Sequence, residues 1–189
     1  MFAAAQEMNT RGVKFTIDDV AARIGISKKT IYQYYASKDV LITSIVDAAL
    51  NDVQTQNRDT MEGQGDFVSK LTAIITSEPN LFGKINYWVL DDLKRYRPEE
   101  WERITSFRRG RNKDIARILE EGIASGHIRP INTSVAAQML LSACADFLDY
   151  RFLDENNLTF GDALKALNDI FQFGVLANPA GAKDIKGAK

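Results

Sequence analysis

Hydrophobic positions recur along this chain at spacings of three and four residues, the period of an amphipathic helix, and no convincing strand alternation appears. Near the N-terminus, Ile17, Val20, Ala21 and Ile24 fall on one side of a short helix. Thr16 precedes it as an N-cap, with Asp19 three residues on as an acidic variant of the capping box. Gly25 can take the positive φ that ends a helix and turns the chain. Ile26 is an apolar plug for the turn, Ser27 caps the next helix, and Lys28–Tyr35 form it. Ile31 and one of Tyr34 and Tyr35 point inward. Lys28, Lys29, Thr30, Tyr32, Gln33 and the other tyrosine point out. Two short helices joined by a tight turn, the second with a polar outer flank, form the pattern of a helix-turn-helix, which lays its second helix in the major groove of DNA.

The rest of the chain also predicts helix after helix. A helix is expected over about 38–60, with Val40, Leu41, Ile45 and Val53 on one side. Gly63 and Gly65 interrupt the pattern, and Asp66 restarts it ahead of Phe67, Leu71, Ile74 and Ile75. Pro79 stands near the start of a helix over Asn80–Tyr96. Pro98, followed by Glu99 and Glu100, opens a long helix to Gly126, with acids placed favourably for the helix dipole. Two further helices are expected over about 133–155 and 160–177. Asn178-Pro179 ends the pattern, and residues 179–189 are expected to form a flexible tail. The expected fold class is all-α, with a helix-turn-helix DNA-binding domain expected over residues 1–45 and a further helical domain over residues 46–178, in which ligand binding and dimerisation are expected.

Charge sharpens this picture. The chain has 189 residues and a formal charge of −1. Between Val20 and Lys38 stand four bases (Arg23, Lys28, Lys29, Lys38) and no acids. A basic surface confined to one small face suits a site-directed DNA binder rather than a protein that coats nucleic acid. No apolar run is long enough to span a membrane, and no signal peptide is expected at the start. The single Cys144 cannot form an internal disulfide, in keeping with a reducing cytoplasm.

Residues AAAQEMNTRG and TIDDVAARIGISKKTIYQYYASKDVL together resemble the N-terminal domain of the tetracycline-repressor (TetR) family of bacterial regulators. The likeness covers about residues 3–45. It rests on Arg11-Gly12, the Thr16 start, Gly25-Ile26-Ser27, Thr30-Ile31-Tyr32, Tyr34-Tyr35 and Ser37-Lys38-Asp39-Val40-Leu41. Met8 stands where the family usually has phenylalanine. The chain starts almost at the first helix, so a basic arm ahead of it is expected to be missing. The resemblance implies operator contacts from Thr16, Lys28, Lys29, Thr30, Tyr32, Gln33, Tyr34 and Lys38. It also implies a homodimer on double-stranded DNA and a small-molecule effector, with no further cofactor.

Dimerisation has its own pattern. The last two helices carry apolar faces that include Leu140 and Phe147 on one, and Leu164, Leu167 and Phe171 on the other. Two such helices can pair with their copies as a four-helix bundle, or can complete a monomer core. A two-fold dimer suits DNA reading, since two recognition helices about 34–36 Å apart read successive half-sites of a palindrome.

The middle helices combine aromatics with charges on apolar faces, as a small-molecule pocket would. The candidate lining is Tyr87, Trp88, Asp92, Phe107, Arg108, Arg111, Asp146, Phe147 and Tyr150. The same aromatics also suit a plain core, and an Asp92–Arg111 ion pair would satisfy both charges without a ligand. His127 reads as an exposed residue at a helix end, and Cys144 as a small core residue. Neither a Cys/His metal spacing nor a Gly-rich phosphate loop occurs, and nothing suggests a nucleophile–base arrangement. The expected function is a cytoplasmic, ligand-responsive regulator, a repressor released from its operator, and not an enzyme. The alternative is a constitutive DNA-binding or protein-interaction module without an inducer.

Overall fold

A computed structural model describes residues 1–83, 86, 88–147 and 150–175 of the chain. Tyr87 and residues 176–189, the expected tail included, lie outside the described residues, as does the side chain of Tyr150. The described residues form ten α-helices with one short 3-10 turn, and no strand. In chain order these are α1 (Phe2–Arg11), the 3-10 turn Gly12–Lys14, α2 (Ile17–Ile24), α3 (Lys28–Tyr34) and α4 (Lys38–Glu62). There follow α5 (Phe67–Ile75), α6 (Trp88–Tyr96), α7 (Pro98–Ala124), α8 (Thr133–Asp146), α9 (Tyr150–Glu155) and α10 (Phe160–Val175).

Two expected elements differ. The helix expected over Asn80–Tyr96 begins only at Trp88. Ahead of it, residues 80–83 make a turn in which the Gly83 N–H donates to the Asn80 carbonyl at 3.0 Å. The Asp52 carboxylate holds that turn by accepting from the N–H groups of Asn80 (2.7 Å) and Leu81 (2.9 Å). The helix expected over 133–155 is broken: α8 ends at Asp146, Phe147 caps it, and α9 starts at Tyr150.

The chain divides into two compact units. The first joins Met1–Asp59 with Ser77–Phe107. Its core gathers the small face of α1 (Ala3, Ala4, Ala5), Phe15, Ile17, Val20 and Ile31, and Leu41, Ile42 and Ile45 of α4. Val89 and Leu93 of α6 and Ile104 of α7 complete it. Charged groups rivet the edges. Asp39 pairs with Arg97, and Asp47 pairs with Arg103. The buried Glu100 accepts from the Thr43 hydroxyl and from Arg103 Nη1 at 2.8 Å, so its charge is compensated.

The second unit joins Thr60–Thr76 with the chain from Arg108 onward. Leu71, Ile74 and Ile75 of α5 pack with Ile115, Ile118 and Leu119 of α7, with Ala136, Ala137 and Leu140 of α8, and with Phe171 of α10. Asn168, buried on α10, accepts from Gln172 Nε2 at 3.2 Å, and the same amide donates to Thr72 Oγ1 on α5.

Candidate nucleic-acid interface

Three local devices shape the surface that carries α3. The first is the capping box at α2. Thr16 Oγ1 accepts from the Asp19 N–H at 3.1 Å, and Asp19 Oδ2 accepts from the Thr16 N–H and hydroxyl, both at 2.7 Å. The Thr16 hydroxyl first, then its N–H, hold the Asp19 carboxyl below the usual carboxylate range, and Arg11 and Lys38 add to this. The second device is the turn. Gly25 has φ 68° and ψ 31°, and its N–H and that of Ile26 both reach the Ala21 carbonyl. The third is the Ser27 cap, whose Oγ accepts from the Thr30 N–H at 3.1 Å.

These devices fix which side of α3 faces water. Ile31 is buried in the first unit's core and Tyr35 packs against it. Tyr34 is 78% exposed, so of the two tyrosines it is the outward one. Lys29, Tyr32 and Gln33 share the open flank. Thr30 is half-buried and shares a 2.8 Å hydrogen bond with Ser27. Lys28 Nζ donates to Asp18 at 2.8 Å, and that hydrogen bond, then the Asp18 charge, raise its pKa. Both partners are open to water, so the pair is a weak latch rather than a structural tie. Lys38 Nζ lies 4.9 Å from the Phe15 ring centroid. Burial, and then the nearby charge of Arg97, hold the Lys38 ammonium below its ordinary pKa.

Two expectations for this motif are corrected. Ile24 and Ile26, expected on the inner face and as the plug of the turn, are both exposed. The inner side of α2 is taken by Ile17, Val20 and Ala21.

Below the motif lies a feature the sequence pattern did not single out. Glu7 of α1 is buried, with Oε1 2.6 Å from Arg23 Nε and Oε2 3.0 Å from Arg11 Nε. This ties α1 to α2. The available signal was an acid among small apolar residues, four positions before an arginine.

The expected pocket residues are distributed as follows. Trp88 and Asp92 turn to the 3-10 turn of their own unit, where Asp92 Oδ2 accepts from the Val13 N–H at 3.1 Å. Gly12, with φ 67° and ψ −162°, makes room for this, since a Cβ there would meet both Asp92 Oδ2 and Trp88. Phe107 is half-buried in the same unit. In the second unit, Arg111 Nη2 donates to the Ile74 carbonyl at 2.6 Å, and Arg108 is half-buried. Phe147 stacks on Phe152 with centroids 5.7 Å apart. Asp146, expected to line the pocket, is exposed, as is Met139 on the same helix. Tyr87 and the side chain of Tyr150 lie outside the described residues. Burial pushes the Cys144 thiol above its ordinary pKa. His127 is exposed and stacks on Phe67 at 5.2 Å. Among the described residues, no three His, Cys, Asp or Glu side chains gather to hold a metal ion, and no helix is long and apolar enough to cross a membrane.

The expected dimer residues fall as follows in the protomer. Leu140, Leu164 and Phe171 are buried within the protomer, and Leu167 packs against its core. Among the described residues, the large apolar side chains left open on these helices are Val135 and Met139 of α8, and Ile170 and Phe173 of α10, the last two 73% and 66% exposed. The apolar and small residues of α8 run around much of the helix, so periodicity could not say which of Met139 and Leu140 faced in.

A capped, turned and outward-facing recognition helix on an all-helical chain defines the class: a helix-turn-helix DNA-binding regulator. Residues 2–45 match the family model described as bacterial regulatory proteins, tetR family. Over those residues the chain is similar to that family. It is 27% identical over 169 residues to an uncharacterized HTH-type transcriptional regulator, YvaF, of Bacillus subtilis (strain 168), covering 89% of each chain. Its fold is shared by the reduced form of NemR from E. coli, with TM-score 0.70 and 15% identity over 95% of this chain and 96% of that one. It is shared too by the TetR family regulator PfmR of Thermus thermophilus, with TM-score 0.66 and 20% identity over 91% and 96%.

Proposed function

We propose that the chain is a homodimeric, cytoplasmic repressor that binds a palindromic operator and leaves it when a small molecule enters the C-terminal helical domain. Residues 1–45 are the DNA-binding domain in this reading, and residues 46–178 take the ligand and the partner subunit. Lys29, Tyr32, Gln33 and Tyr34 reach base edges and phosphates from the open flank of α3, with Thr16 and Lys38 as backbone anchors beside it. Lys28 exchanges Asp18 for phosphate, and Thr30 contributes through its link to Ser27. The observation that carries the reading is the outward flank of α3 set against its buried Ile31.

Dimerisation through Val135, Met139, Ile170 and Phe173 follows from their exposure, because apolar side chains grouped on open helix faces mark an interface. Release by a ligand requires differential affinity for two conformations, about 5.5 kcal/mol to move a population from 1:99 to 99:1. Selection of bound duplexes from a random pool tests the core of the proposal. A palindrome with half-sites one helical turn apart is expected. Failure to enrich any duplex would remove the operator reading. An operator complex that no metabolite extract dissociates would leave the constitutive module instead.

A further inference from the structure

Outside the helix-turn-helix, cations and aromatic rings alternate along one edge of the first unit. Lys38 Nζ sits 4.9 Å from the Phe15 centroid. Lys14, the residue before Phe15, places its Nζ 4.9 Å from the centroid of Tyr96, at the end of α6. The Arg95 guanidinium carbon lies 5.4 Å from that same ring. Lys94 Nζ continues the series 5.8 Å from Trp101. Lys14, Lys94, Arg95 and Tyr96 are all exposed.

Of the nearby acids, Asp92 accepts from the Val13 N–H, Asp39 pairs with Arg97 and Asp19 caps α2, while Asp91 and Glu99 stand on the same stretch of chain as Lys94 and Arg95. Among the described residues neither Lys14 nor Arg95 forms an ion pair. Two like charges on one ring repel, and the ring quadrupole offsets only part of that. The Lys38 ammonium is likewise penalised by burial and by Arg97. The series adjoins Thr16, next to Phe15, and includes Lys38, the two backbone anchors of the proposed operator face.

We propose that Lys14, Arg95 and Tyr96 form a ledge for the phosphate backbone of the operator duplex, so that α6 touches DNA directly. The proposal rests on the DNA-binding reading above and extends its footprint beyond residues 2–45. Duplex DNA supplies the matching chemistry, a line of negative charge with one phosphate per about 1.7 Å of helix axis. Tyr96 acts by holding the two cations in place. Lys14 and Arg95 carry no sequence information and set affinity and salt dependence.

The test is equilibrium binding of the full-length protein to its selected operator over a range of salt, for Lys14→Ala, Arg95→Ala and the double variant. Lys113→Ala, an exposed lysine of α7, is the control. Each ledge variant is expected to weaken binding to matched and mismatched duplexes alike. The slope of log K against log salt should fall by about 0.9 for each phosphate that is no longer neutralised. The control should keep the wild-type slope. Far-UV melting curves confirm folding, and if Lys14→Ala melts early, Arg95→Gln carries the comparison alone. Wild-type affinity and slope in the ledge variants, with binding weakened by Lys38→Ala, would overturn the ledge and leave the operator reading standing. A wild-type protein that binds no duplex would overturn both.

Discussion

Asp92 of α6 accepts a hydrogen bond from the Val13 N–H at 3.1 Å, across 79 residues of sequence. Gly12 sits between them in a backbone conformation that is nearly exclusive to glycine. The first consequence is energetic. Asp92→Ala leaves a part-buried N–H without a partner and should cost about 1–3 kcal/mol. Gly12→Ala should cost about 1–3 kcal/mol through strain, on top of its collision with Asp92. Because both changes act on one contact, the double variant should lose less than the sum. Urea unfolding of the three variants measures this, and strict additivity would show the contact to be incidental.

The open flank of α3 gives a prediction for binding without loss of fold. Gln33→Ala and Tyr34→Ala should each weaken operator binding by about 1–3 kcal/mol while melting like the wild type. Ile31→Ala, whose side chain is in the core, should instead lower the melting temperature. Wild-type operator affinity in the first two would take α3 out of the groove.

Assembly separates two sets of side chains that are neighbours in sequence. Met139→Glu and Phe173→Glu should give folded monomers in sedimentation, since both are exposed. Leu140→Ala and Leu164→Ala should remain dimeric but lose about 2–5 kcal/mol of stability, since both are buried in the protomer. Dimers persisting in the first pair would place the subunit contact on another surface.

Acid behaviour follows from the capping box. In the fold the Asp19 carboxyl is held below its ordinary value by Thr16, so its stabilising effect is present above the unfolded pKa of about 3.9. That effect is lost as pH falls through the lower, folded value. Asp19→Asn should therefore be less stable than wild type near neutrality, with the gap closing on acidification. Denaturation midpoints over a pH series decide it, and a gap that does not vary with pH would remove the charge from the account.

The legible parts of this molecule are the local ones. Thr16-to-Asp19, Gly25 and Ser27-to-Thr30 act within three or four residues, and their geometry follows the sequence pattern. What sequence could not resolve turns on a rotation of one residue about a helix. Tyr34 or Tyr35, and Met139 or Leu140, differ by about 100° on a face whose inner side only the neighbours define. Ile24 is subject to the same ambiguity. Asp92 falls on an apolar stripe, but its partner is a backbone N–H that no side-chain pattern reveals. The Glu7 linkage depends on two arginines from different helices, so each residue alone reads as an ordinary surface charge.

The Gly12–Asp92 contact also bears on chimaeras. Grafting a related head onto this chain at residue 45 would leave Val13, or its counterpart, facing an α6 that did not evolve with it. The transplant should therefore carry residues 77–107 along with the head, because they share its compact unit. Position 92 and position 12 are best exchanged together, as a single inheritable pair.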